Sequence, residues 1–272
     1  MKSLIFLALC WLALPSTSMF ILLPLYIYPG TSASAWSNVT AAIAAYPTVQ
    51  WQVIINPNSG PGTASFPSDP NYITGISNLN KYPNVITLGY IDTAYASRAY
   101  SSVASVIDVY AKWTSYTEAN ISIGGIFFDD VVGADAATNS ILTYYHNIST
   151  YVYANVPSTV TPVVFNPGAA GPIQLFGYCD TMVEFENALS SYHNVTTIKA
   201  LPSGYADQSA IIIYNATATT DVKSLVHTMS TNGVEAVYFD YGACFYQGRP
   251  TGCYNVTSLT NLKLLAAAVL AG

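Results

Sequence analysis

Gly124-Gly125-Ile126-Phe127-Phe128-Asp129-Asp130 decides the fold. Its apolar and aromatic core carries no charge, which fits a short strand buried on both faces. It ends on two adjacent carboxylates. Like charges this close push at least one pKa upward, which suits acid/base chemistry. The plain alternative is that Asp130 caps the next helix and Asp129 sits in a solvated turn. For one isolated strand that alternative is the better one, so the rest of the chain has to decide.

Seven further stretches read in the same way. Ile21–Pro29, Trp51–Asn56 and Val85–Asp92 precede the central strand. Val160–Asn166, Asp180–Asn187, Ala210–Asn215 and Val234–Asp240 follow it. Between them lie helix patterns over Trp36–Tyr46, from Asp69-Pro70 onward, over Tyr100–Tyr116, around Ile141–Ile148, over Asp221–Met229 and over Ser258–Leu270. Pro172–Tyr178 reads as a short helical connection. Eight apolar strands alternating with helices are the pattern of a (β/α)8 TIM barrel. An open doubly wound sheet is the competing arrangement, but the first strand lacks a Gly-x-Gly-x-x-Gly fingerprint. No linker divides the chain, and 272 residues suit a single barrel domain.

Asn56, Asp92, Asp129, Asp130, Asn166, Glu186 and Asp240 all fall at the C-terminal ends of these strands. In a barrel those ends converge on one face, where barrel enzymes carry their active sites. Each polar strand end is ordinary turn chemistry when taken alone; their convergence is not. Alternation along a strand places Asp129 and Asp130 on opposite faces unless the chain bends there. Glu184 and Glu186 share a face in a regular strand, with Glu186 nearer the rim. Carboxyl groups facing each other across a mouth are the equipment of a glycosidase. Tyr28, Tyr90, Tyr214, Tyr238 and Tyr241 are placed to stack sugar rings, although most of the 22 tyrosines must serve the core or the surface.

Other chemistries find little support. The net charge of −6 and the lack of a basic patch argue against nucleic acid as a partner. His146, His193 and His227 sit on no strand end, and no Gly-x-Ser-x-Gly elbow is present. Neither the cysteines nor the histidines have zinc-site spacing, so no metal or other cofactor is expected.

Residues 1–18 read as a secretory signal peptide: Lys2, the apolar Leu4–Leu14, then Pro15-Ser16-Thr17-Ser18. The barrel then occupies 19–272. No later segment reaches spanning length. Six Asn-x-Ser/Thr sequons, at Asn38, Asn120, Asn147, Asn194, Asn215 and Asn255, fit an exported glycoprotein, extracellular or wall-associated. Cys244 and Cys253 flank a Gly/Pro-containing loop and form the natural disulfide pair, which leaves Cys179 as a buried thiol. A monomer is expected.

LYIYP at 25–29, LGYIDT at 88–93, GIFFDD at 125–130, VEFEN at 183–187 and VYFDYG at 237–242 resemble the spherulin-4 family, classed as glycoside hydrolase family 135. The resemblance runs over nearly the whole chain after residue 18. It implies a secreted fungal or slime-mould (β/α)8 enzyme. The implied activity is endo-acting α-1,4-N-acetylgalactosaminidase activity on galactosaminogalactan, an amino-sugar exopolysaccharide. It carries catalytic roles to Asp129 and Glu186, with Asp130 in support and Glu184 as the alternative register. Asp92, Asp240, Tyr28, Asn166, Glu184 and Tyr214 are the expected substrate contacts. The family pair after the fourth strand is typically Asp-Glu, whereas this chain has Asp129-Asp130. That departure leaves open a second reading: a glycan-binding or wall-associated barrel with weakened catalysis.

Overall fold

The computed structural model describes residues 19–272 apart from 63, 243, 247–248 and 252–257; the side chains at 195, 244–246 and 249–251 are not described. The segment read as a signal peptide, Cys253 and Asn255 therefore lie outside the described residues, and so does the expected Cys244–Cys253 bridge. Cys179 is a buried free thiol.

Eight parallel strands close into a barrel in sequence order. They are β1 (Phe20–Leu25), β2 (Trp51–Ile55), β3 (Val85–Asp92), β4 (Gly125–Asp129), β5 (Val163–Phe165), β6 (Thr181–Ala188), β7 (Ser209–Tyr214) and β8 (Ala236–Phe239). Closure is made by Phe20 against Ala236 and Ile21 against Val237. Every residue of β1 and β8 is buried, as a strand covered on both faces requires.

Helices wrap the outside: α1 (Ser37–Ala45), α2 (Pro70–Leu79), α3 (Tyr100–Lys112), α4 (Asn139–Asn155), α5 (Val195–Lys199), α6 (Val222–Thr231) and α7 (Leu259–Ala271). Their starts follow the local chemistry. Asp69 accepts the Asn71 N–H ahead of a proline at the first position of α2, Asp221 accepts the Ser224 N–H, and Ser258 accepts the Asn261 N–H. The βα rhythm weakens between β5 and β7. A 3-10 turn at Ile173–Gly177 connects β5 to β6, and the five-residue α5 follows β6. A short hairpin pairs β9 (Cys244–Tyr246) with β10 (Arg249–Thr251) between β8 and α7.

The opening Gly-Gly has a packing cause. A Cβ on Gly125 would collide with the Pro162 carbonyl oxygen and stand 2.9 Å from Leu88 Cδ2. β4 can therefore lie against its neighbours only with glycine there. Beyond it Phe127 and Phe128 are fully buried. Phe128 packs edge-on to Phe165 at 5.7 Å between ring centres, and Phe165 meets Tyr145 at 5.3 Å. These contacts carry β4 into the body of the core and leave its last residue, Asp129, half-buried at the mouth.

At the opposite end of the barrel, Glu235 precedes β8 and accepts the Thr181 hydroxyl at 2.7 Å. Burial, with Asp180 and Asp207 nearby, pushes its carboxyl up to about 7. The folded chain then holds a proton there that the unfolded chain releases near the ordinary glutamate value. Its contribution to stability is complete below about pH 4.5 and is lost as pH rises through about 7. Glu235→Gln should flatten the fall in melting temperature between pH 5 and pH 8, which thermal unfolding across that range measures. A slope identical to the parent's would show that Glu235 does not titrate in this way.

Candidate active site

The C-terminal mouth gathers side chains from consecutive strands. In the register of β3 with β4, Asp92 stands beside Asp129. Asn166, 6% exposed, follows β5 directly. Its backbone N–H donates to the Phe128 carbonyl at 2.8 Å, and its carbonyl accepts the Val131 N–H at 3.0 Å. The residue is thus stitched to β4 and to the turn that follows it. Gly168 sits at φ 70 and turns the chain back, so that its N–H donates to Asn166 Oδ1 at 2.9 Å. With Oδ1 committed as an acceptor, the amide nitrogen has to face the mouth as a donor.

That nitrogen binds both catalytic carboxylates predicted from the sequence. Asn166 Nδ2 donates to Asp129 Oδ1 at 2.8 Å and to Glu186 Oε2 at 2.8 Å. The Tyr90 hydroxyl donates to Asp129 Oδ2, also at 2.8 Å. Both oxygens of Asp129 are therefore engaged, while Asn166 holds one oxygen of Glu186. The two accepting oxygens lie no more than twice 2.8 Å apart.

Electrostatics separates the pair. Burial raises the Asp129 carboxyl above its ordinary value, and the Asp130 charge adds to the rise; the Tyr90 hydroxyl, the backbone at Asp130 and the Asn166 amide limit it. Burial pushes Glu186 up to about 7; the Asn166 bond opposes the rise, and the charges of Asp129 and Asp130 add to it. Two carboxyls this close in a poorly solvated place favour a state sharing one proton. The better-solvated partner by hydrogen bonding is Asp129, so the proton resides on Glu186.

Asp130 does not continue the strand. It bends away at φ 50, which answers how two adjacent aspartates can both stand at the mouth. The turn is held by Thr93, whose hydroxyl donates to the carbonyls of Asp129 and Asp130 at 3.0 and 2.8 Å, and by the Tyr95 N–H on the Asp130 carbonyl at 2.7 Å. Ala94, Tyr95 and Ala96 are themselves left-handed, at φ 46, 54 and 63. This turn leaves Tyr95 60% exposed over the acidic residues. Its hydroxyl pKa is raised first by Asp130.

The remaining expected contacts divide. Asp92 Oδ1 accepts the Ala94 N–H at 2.6 Å and so helps to fix the left-handed turn. Burial raises the Tyr214 pKa and the nearby Glu186 charge adds to the rise; the Tyr214 hydroxyl donates to Asn187 Oδ1 at 3.2 Å. Asp240 is 1% exposed, and Gly242 donates its N–H to Oδ1 at 3.3 Å. Tyr28 is half-exposed at the rim, where its hydroxyl donates to Asp69. Glu184 is not joined to the pair. The register of β6 against β7 shifts between Val183 and Phe185, and Glu184 is passed over. Its carboxylate accepts the Gly171 N–H at 3.0 Å, and burial pushes it up to about 7. The face shared by Glu184 and Glu186 in a regular strand therefore does not produce a second acidic member of the site.

Tyr90 was legible only as a stacking ring; the structure makes it a hydrogen-bond donor to Asp129. Tyr26, 5.7 Å from Tyr90 between ring centres, lies near both carboxylates and was missed, as were Thr93 and Tyr95. Its place just beyond the end of β1 was the available signal. Of the sequon asparagines, Asn120 and Asn147 are exposed; Asn38, Asn194 and Asn215 are half-buried. Among the described residues no group of three or more metal-ligating side chains comes together. No helix among them is long and apolar enough to cross a membrane.

Comparison with known proteins gives this geometry a context. The model of spherulation-specific family 4 matches residues 20–252. The chain belongs to the spherulin-4 family. Spherulin-4 of Physarum polycephalum is 32% identical over 258 residues, spanning 92% of this chain and 69% of its own. The crystal structure of Aspergillus clavatus Sph3 in complex with GalNAc superposes with a TM-score of 0.77 at 28% identity, covering 92% of this chain and 98% of that one. A β-glucuronidase from Ruminococcus gnavus reaches a TM-score of 0.50 at 6% identity over 91% of this chain and 49% of its own; it shares the barrel fold alone. The spherulin-4 match covers every strand of the barrel and each residue of the Asp129–Asn166–Glu186 set.

Tyr90→Phe removes one donor with little change of shape. The Tyr90 bond lowers the Asp129 pKa, so its loss should move Asp129 to higher pH. Carboxyl 13C NMR titration of the two proteins measures the shift. An unchanged Asp129 titration would contradict the hydrogen bond.

Proposed function

We propose that the protein is a secreted retaining glycoside hydrolase that cleaves an N-acetylgalactosamine-containing polymer of the galactosaminogalactan kind. The observation that carries this reading is the single Asn166 amide bonded to both Asp129 and Glu186. Twice 2.8 Å is the widest separation those oxygens can have. Two carboxyls held by one amide suit the roughly 5–5.5 Å of retaining glycosidases better than the roughly 6.5–9.5 Å that leaves room for an inverting water. GalNAc bound to Sph3 supports the sugar class.

The roles follow from the two environments. Asp129, held by two side-chain donors, stays ionised and serves as nucleophile. Glu186, pushed up to about 7, is the protonated partner near neutral pH. In the first step an Asp129 oxygen bonds to the anomeric carbon as the glycosidic C–O bond breaks. The proton of Glu186 goes to the departing sugar oxygen. In the second step Glu186 takes a proton from water, whose oxygen displaces Asp129 from the anomeric carbon. The net reaction consumes one water per bond cleaved and returns both carboxyls to their starting states. Asp130 adds negative charge beside the developing oxocarbenium ion. An acetamido-assisted route also retains configuration; there Asp129 or Asp130 would hold the substrate amide.

A second reading is a glycan-binding barrel whose catalysis is weakened. It rests on Asp130 standing where the resemblance leads one to expect glutamate. Aspartate is one methylene shorter, and a misplacement of about 1 Å can cost ~10²-fold in rate. Binding without cleavage would favour this reading.

Asp129→Asn and Glu186→Gln are near-isosteric and keep the mouth filled. Each should lower the turnover of a GalNAc polymer by at least about 10²–10⁴-fold while the protein stays folded. Mass spectrometry of the released oligosaccharides, with thermal unfolding as a control, measures both. Parental turnover in both variants would remove the pair from the chemistry.

A further inference from the structure

Beside the carboxylate pair, across the ends of β1 and β2, the mouth opens into a cavity of about 510 Å³. That volume lies within the roughly 300–1,000 Å³ of small-ligand pockets. Tyr26 forms its inner wall, and Tyr26 is also the ring near enough to Asp129 and Glu186 to feel both charges. The cavity thus shares Tyr26 with the surroundings of the pair, and neither carboxylate of the pair lines it. Pro57, Phe66 and Tyr72 give it apolar walls, and among the described residues Asp69 is the one charged side chain lining it.

Tyr28 stands out at its rim. It is 51% exposed, yet it is not loose. Its hydroxyl donates to Asp69 Oδ2 at 2.7 Å and accepts from Asn71 Nδ2 at 2.6 Å. Asp69 is fixed in turn by the Asn71 N–H at 2.8 Å, and Asn71 Oδ1 accepts the Ser32 N–H at 2.9 Å. The ring meets Tyr72 edge-on at 5.7 Å, and Tyr72 rests on Trp36 at 5.9 Å. An exposed aromatic face has thus been ordered in advance by three neighbouring groups. Such a face binds a flat apolar surface at low entropic cost, and the C–H face of a pyranose is one. The Asp69 carboxylate keeps lone pairs for sugar hydroxyls or an ammonium, and its charge repels uronic or sulfated sugars.

We infer that this cavity is a secondary glycan subsite, with Tyr28 as platform and Asp69 as polar anchor. It holds a neutral or amino pyranose of the same chain, remote from the bond being cut. The inference rests on the glycan-hydrolase reading and deepens it. A subsite displaced to one side of the pair requires a substrate longer than a single sugar.

Binding is best read in the Glu186→Gln background, where turnover is slowed. N-acetylgalactosamine oligosaccharides of increasing length, fully and partly N-acetylated, would be titrated by calorimetry. Affinity should rise with length and level off once the cavity is filled. Tyr28→Ala should weaken the long oligomers about tenfold, the scale of a truncated aromatic anchor, and leave the free monosaccharide unaffected. Tyr28→Phe, which keeps the ring, should lose less. Asp69→Asn should weaken the partly de-N-acetylated oligomers most. Tyr28→Ala that binds every length with parental affinity would overturn the subsite while leaving the catalytic pair intact. Failure of the Glu186→Gln protein to bind any of these glycans would overturn the glycan reading, and the subsite with it.

Discussion

One amide nitrogen organises the mouth of this barrel. Asn166 donates to a carboxylate from β4 and to one from β6, and β5 lies between those two strands. Strands in a sheet stand about 4.8 Å apart, so the backbones of β4 and β6 are separated by roughly two such steps, and their side chains close the distance by leaning inward. Here the middle strand supplies the link between them. The rest of the local structure keeps that amide in place: one backbone bond to β4 and one to Val131 just beyond it, the left-handed Gly168, and the Gly168 N–H that decides which way the amide faces. A donor between two carboxyl oxygens also offsets part of the cost of burying them.

A second constraint keeps the adjacent aspartates apart. Asp129 ends β4 in register with Asp92, whereas Asp130 takes a left-handed conformation, and three consecutive left-handed residues from Ala94 lie against it. Non-glycine residues in that region cost of order 1–3 kcal/mol each and persist where the surroundings enforce them. The Thr93 hydroxyl, the Tyr95 N–H and the Asp92 carboxylate do the enforcing. The strain separates Asp129, which faces Asn166 and Tyr90, from Asp130, which stays beside them as a charge.

Much of this could be read from the residues. Parallel strands covered on both faces are written as unbroken apolar runs, so all eight strands were visible, and so were the polar residues at their ends. What stayed hidden depends on contacts distant in sequence. Asn166 was legible as a polar strand end, but its bridging role needs the Gly168 turn. Tyr90 is one of 22 tyrosines, and only the spacing of β3 against β4 singles it out as a donor. Glu184 looked equivalent to Glu186 because alternation assumes a regular strand; the register shift beyond Val183 breaks that assumption. The five-residue α5 is too short to show a helical period. The β9–β10 hairpin has only three residues in each strand, too few for alternation to register.

The central claim is that Asp129 and Glu186, drawn together by Asn166, act as nucleophile and acid/base. Proton NMR of the first product released from a GalNAc polymer, recorded before mutarotation, tests it most directly. The account predicts that the new reducing end first appears with the anomeric configuration of the bond that was cut. A first product of the opposite configuration would require a water between the two carboxyls and would contradict the geometry.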